Sequence, residues 1–70
     1  MVKKLNFVKF GRNLRKYRKQ ANLEQHELAD KTGVNRGYIS YIETAQKKPS
    51  LELAVRLAKA VGCTVDDLVN

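Results

Sequence analysis

Signals that end helices recur so closely along this chain that every element in it must be short. Asn22, Gly33, the Pro49-Ser50 pair and Gly62 divide the 70 residues into five segments joined by connections of a few residues. Within the segments, apolar residues return at three- and four-residue intervals, the period of a helix with one buried face. That spacing leaves no room for a strand-based core and predicts a compact all-α fold of five helices. A chain of this size buries only about 60% of the surface its unfolded form exposes, so one modest core is the ceiling. A hydrophobic fraction of 43% suffices for it.

The first segment, about Phe7 to Gln20, carries Phe7, Phe10, Leu14 and Tyr17 along one stripe and Lys9, Arg12, Arg15, Lys16 and Lys19 opposite. It should stop near Asn22, because Asn tolerates the left-handed conformation that commonly ends helices. The second, from Glu24 or Gln25 to Lys31, buries Leu28 and Ala29 and ends at Gly33. The third opens on Asn35, a good N-cap, and runs to about Glu43, with Val34, Ile39 and Ile42 inward. Pro49 and Ser50 open the fourth, where Leu51, Ala54, Leu57, Ala58 and Val61 form the stripe that Gly62 closes. The fifth starts at Thr64, with Asp67 three residues later in a variant of the reciprocal capping arrangement, and buries Val65 and Leu68.

Charge is distributed as unevenly as the turns are regular. The net charge is +7, yet residues 1–20 hold eight of the fourteen Lys and Arg and no acid, while six bases and seven acids nearly balance over the rest. A one-sided basic field suits a polyanion, since neutralising phosphates releases condensed counterions.

The second segment, a short turn containing Gly33, and the third segment have the spacing of a helix-turn-helix. The run Leu23-Glu24-Gln25-His26-Glu27-Leu28-Ala29, then Gly33-Val34-Asn35, then Tyr38-Ile39-Ser40-Tyr41-Ile42-Glu43, then Pro49-Ser50-Leu51, resembles the phage-repressor-like helix-turn-helix family, also described as lambda-repressor-like or xenobiotic-response-element type. The resemblance covers about Phe10 to Leu68 and includes Gly11, Arg18, Ala58, Gly62 and Asp67-Leu68. It implies a sequence-specific regulator of transcription, most simply a repressor. The third helix, about Asn35 to Glu43, would lie in the major groove of duplex DNA and the second would cross the backbone.

With Ile39 and Ile42 turned inward, the residues left to face bases are Asn35, Arg36, Gly37, Ser40 and Tyr41. Arg36 is the strongest of these, because a guanidinium pairs bidentately with guanine O6 and N7. Asn35 is divided between capping and contact. The phosphate contacts expected are Gln25, Arg12, Tyr38, Lys47 and Lys48. For Gln25 the resemblance implies a phosphate bond that also steadies a neighbouring base contact, and it implies a structural ion pair between Arg18 and Glu43.

Three positions depart from the family pattern. Glu24 stands where Ser or Thr is usual, a poorer cap placed close to phosphate. Ala45 stands where Gly is usual, so the loop after the third helix is expected to differ. Gly37 has no side chain where relatives read a base and costs about 1 kcal/mol of helix stability relative to Ala.

Other chemistries find little support. One histidine, His26, and one distant cysteine, Cys63, cannot build a usual zinc site, and a lone cysteine forms no intrachain disulfide. Ser40 has no adjacent base, and there is no glycine-rich phosphate loop or carboxylate pair. No enzyme activity, metal, cofactor or small-molecule ligand is therefore expected. No stretch approaches a membrane span and no signal peptide is evident, which points to a cytoplasmic protein. A basic amphipathic first helix could lie on a membrane, but its apolar stripe is needed to cover the core.

Residues 1–8 are read as a basic N-terminal extension that reaches into the first helix, and 9–70 as the helix-turn-helix domain with no sensing module. One such module reads a half-site, so a homodimer on an inverted repeat is expected, formed in solution or only on DNA. Val65, Leu68 and Val69, or Leu5 and Phe7, are its candidate contacts. The competing reading is a protein-interaction module of the same fold, an antitoxin-like or anti-repressor-like partner.

Overall fold

The computed structural model describes residues 6–70. Five helices follow one another: α1 (Phe7–Gln20), α2 (Gln25–Thr32), α3 (Arg36–Glu43), α4 (Leu51–Ala60) and α5 (Val65–Val69). Among the described residues there is no strand. The described part of the basic N-terminal stretch holds the N-cap Asn6, which accepts from the Lys9 amide at 3.0 Å, and the first residues of α1.

Capping chemistry explains where each helix begins. Asn35 and Ser50 accept the amides of Tyr38 and Leu53 at 2.8 and 3.1 Å. Thr64 and Asp67 cap α5 reciprocally, at 3.1 and 3.0 Å. Each such contact satisfies a donor that the first helical turn leaves orphaned and is worth about 1 kcal/mol. At the head of α2 the Glu24 amide donates to Glu27 Oε1 at 2.8 Å, so a local acid compensates for the absence of Ser or Thr there.

Left-handed residues make the turns. Asn22 ends the run after α1 at φ 58°, and Gly33 joins α2 to α3 at φ 77° while its amide donates to Ala29 at 2.9 Å. The loop after α3 makes its left-handed turn without glycine. Ala45 itself takes φ 62°, and the amides of Ala45 and Gln46 return to the carbonyls of Ile42 and Tyr41 at 3.1 and 2.8 Å. Those hydrogen bonds hold the alanine in a conformation its Cβ disfavours.

Phe10, Leu14, Leu28, Ile39, Ile42, Leu57 and Leu68 are completely buried and form the centre of the core. α1 packs on α3 and α5, while α2 packs on α3 and α4. Gly11 permits the α1–α3 contact, since a Cβ there would overlap the backbone oxygens of Ile42 and Glu43. Asn13 ties α1 to α5 by donating to the Leu68 carbonyl at 3.0 Å.

The register of α4 departs from the expected stripe at its first residue. Leu51 is 71% exposed and Leu53 is buried in its place. Leu53, Ala54, Leu57, Ala58 and Val61 make up the buried face, and Leu51 lies about 90° around the helix from its centre. No helix of the described residues is long and apolar enough to cross a membrane.

Candidate nucleic-acid interface

Because Ile39 and Ile42 anchor α3 in the core, the opposite side of that helix faces solvent. Asn35, Arg36, Gly37 and Tyr41 are exposed and Ser40 is half-buried, so the five expected base-facing residues share one surface. The choice left open for Asn35 resolves in part: its Oδ1 caps α3, and only its Nδ2 remains free to donate outward. Gly37 leaves α3 bare, with room for an added Cβ at 3.5 Å from Asn35 Oδ1.

Gln25 and Arg36 meet across the helix-turn-helix, where Gln25 Oε1 accepts from Arg36 Nη1 at 3.2 Å. On its other side Gln25 Nε2 donates to Glu43 Oε1 at 3.0 Å. Glu43 in turn receives Arg18 Nε and Nη2 at 2.7 and 3.2 Å, and Arg18 Nη1 donates to the Leu23 carbonyl at 2.8 Å. The Arg18–Glu43 pair is thus a buried, hydrogen-bonded joint between α1 and α3. Every side-chain polar atom buried among the described residues has a partner.

The phosphate candidates fall into separate places. Gln25 lines an open cleft of about 660 Å³ with Arg36 and Ser40. Tyr38 and Lys47 share a groove with Asn35 and Tyr41 on the neighbouring side of α3. Arg12 lines an adjoining depression with Val8 and Ala45, which shares Arg15, Glu43 and Thr44 with the Gln25 cleft. The Lys48 ammonium stands 5.4 Å over the Phe7 ring, a cation–π contact that holds its exposed side chain against α1.

Arg15, Lys19 and His26 also line the cleft beside Gln25 and Arg36. The sequence held the signal for two of them. Arg15 lies three residues before Arg18, and Arg15 and Lys19 are four apart, so helical spacing puts both on the flank of α1 that the ion pair turns toward α3. Among the described residues no group of three or more His, Cys, Asp or Glu could hold a metal.

A family model described as helix-turn-helix matches residues 14–68, spanning the second half of α1 through most of α5. The chain belongs to the phage-repressor-like helix-turn-helix family. This helix-turn-helix chain is 44% identical over 55 residues to an uncharacterised HTH-type transcriptional regulator of Methanocaldococcus jannaschii, covering 79% of this chain and 83% of the relative. Among solved structures it is similar to the restriction-modification controller protein C.AhdI from Aeromonas hydrophila, with TM-score 0.83, 35% identity and coverage of 89% and 94% of the two chains. It is also similar to the P22 c2 repressor in complex with a synthetic operator, with TM-score 0.82, 31% identity and coverage of 87% and 92%. DNA-binding transcriptional regulation is the function of this family, and α2, Gly33 and α3 are the unit that carries it here.

Proposed function

We propose that the chain reads a specific duplex DNA site with the exposed face of α3, as a small cytoplasmic regulator and most simply a repressor. The observation that carries the reading is the Gln25–Arg36 contact at 3.2 Å, which sets a guanidinium at the start of an exposed helix face whose other side is locked in the core. Arg36 pairs with guanine, while Asn35, Gly37, Ser40 and Tyr41 face neighbouring bases. Gln25, Tyr38, Lys47, Lys48 and Arg12 serve the phosphates on either side, and Arg15 and Lys19 join Gln25 in that work. The operator complex of the similar P22 c2 repressor supports duplex DNA as the partner.

A single α3 covers a half-site, so the functional unit is a homodimer on an inverted repeat, with half-site centres about 10–10.5 base pairs or a multiple apart. Leu68 is completely buried within its own chain and is unavailable to a partner, Val65 and Val69 pack against the same core, and Leu5 lies outside the described residues. Leu51 and Val55 form an exposed apolar pair on α4, at 71% and 37% exposure, flanked by Glu52 and Arg56. Two α4 helices set antiparallel about a two-fold axis near Val55 bring the acidic beginning of each to Arg56 and Lys59 of the other, a self-complementary pattern.

Selection of sites from a random duplex pool at about 150 mM salt tests the proposal, because generic phosphate attraction is partly suppressed there. An enriched inverted repeat is the expected result. Binding without enrichment would overturn it and point to a protein partner.

A further inference from the structure

Four side chains from three helices form one unbroken hydrogen-bonded chain from the core to the solvent. Arg18 and Glu43, with side chains only 8% and 3% exposed, are its buried end. Gln25, half-buried, is its middle and Arg36 its exposed end. The direction of every bond is dictated from inside. A carboxylate paired with a guanidinium can only accept, so Gln25 has to turn its amide nitrogen toward Glu43. Its carbonyl oxygen is left facing position 36, where an acceptor can hold only a donor. Rotating the amide by half a turn would set oxygen against the Glu43 carboxylate and NH₂ against the Arg36 guanidinium. Both charge-assisted hydrogen bonds would be lost at once.

We infer that the buried Arg18–Glu43 pair is a positioning element for DNA reading, which through Gln25 fixes the hydrogen-bond polarity of the recognition surface at position 36. This rests on the assignment of Arg36 to a base contact. Arg36 uses one of its five N–H groups on Gln25 and keeps the others for the base. A guanidinium on an exposed helix otherwise samples many rotamers, and holding it before DNA arrives lowers the entropy lost on binding. The same polarity rejects an acceptor-only side chain at position 36, which would face Gln25 Oε1. Arg36, which can only donate, meets an acceptor base edge, and the buried carboxylate, through Gln25, fixes where that donor is held.

Stability alone cannot test this, because the pair also joins α1 to α3. The test is base preference at one position. Site selection and competition binding are run on the wild-type chain, on Arg36→Ala, and on an Arg18→Met/Glu43→Leu double variant whose folding is verified by circular dichroism and thermal melting. Arg36→Ala identifies the base pair that Arg36 reads. The double variant is expected to lose about tenfold of the preference at that same base pair and to keep the preferences elsewhere. A folded double variant with wild-type preference there would overturn the inference while leaving the reading of Arg36 intact. Arg36→Ala with no change at any position would overturn that reading instead. If the double variant does not fold, Gln25→Met replaces it. It cuts the chain at the middle and spares the buried pair, and unchanged preference at the Arg36 base pair would again overturn the inference.

Discussion

Gly11 of α1 lies so close to Ile42 of α3 that a single added carbon would overlap the Ile42 carbonyl oxygen and stand 2.7 Å from that of Glu43. Both obstacles are backbone, so neither can swing aside. Gly11→Ala is expected to cost about 1–3 kcal/mol or more, read as a lower urea midpoint. Gly37→Ala is the control on the exposed face of α3, where the new carbon has room. It should raise stability by about 0.5–1 kcal/mol through helix propensity. A Gly11→Ala protein as stable as wild type would mean that the two helices can part.

Ala45 at φ 62° carries a strain that glycine would not. Ala45→Gly is expected to stabilise the domain by about 0.5–1 kcal/mol, the relief of left-handed strain being partly offset by the greater freedom of glycine when unfolded. For a chain this small that is a rise in Tm of several degrees. A fall in Tm on scanning calorimetry would contradict the assignment.

The Arg18–Glu43 joint makes a two-part prediction. Glu43→Leu alone leaves a buried guanidinium without its counter-ion and should cost about 3–5 kcal/mol. Pairing it with Arg18→Met should recover most of that loss, because two apolar side chains need no desolvation. Equal instability of single and double variants in denaturant melts would show that packing, not charge, dominates there.

Charge reversal tests the α4 dimer face. Glu52→Arg or Arg56→Glu alone places like charges across the two-fold axis and should weaken self-association and cooperative operator binding. The double reversal restores complementarity and should recover both, as measured by analytical ultracentrifugation and binding to single and paired half-sites. Failure of the double variant to recover, with folding intact, would exclude this face.

Cys63 is half-buried, and burial together with the nearby Asp67 carboxylate pushes its thiol above the ordinary range. Both causes disfavour the thiolate, so alkylation should be slower than that of an unfolded thiol at mildly alkaline pH. The stabilisation of the protonated thiol is present below the unfolded pKa and is lost as pH rises through the folded one. Stability of the wild-type chain should therefore fall over that alkaline window more than that of Cys63→Ala, as followed by chemical denaturation.

The sequence by itself determined the five helices, their ends and the helix-turn-helix. Those depend on interactions within a few residues: Asn35, Ser50 and Thr64 cap the turns that follow them, Gly33 and Asn22 accept left-handed backbone, and apolar spacing turns Ile39 and Ile42 inward. Arg36 could be placed on the exposed face for the same reason. Only the tertiary structure decided what distance along the chain conceals. Leu51 is left exposed because it lies at the edge of the α4 stripe, a matter of which neighbour reaches it. Gly11 proves to be a contact between helices about thirty residues apart in sequence. The chain of bonds from Arg18 to Arg36 exists only because packing brings three helices within hydrogen-bonding distance, and hydrogen-bond polarity is set by that meeting, not by any local pattern of residues.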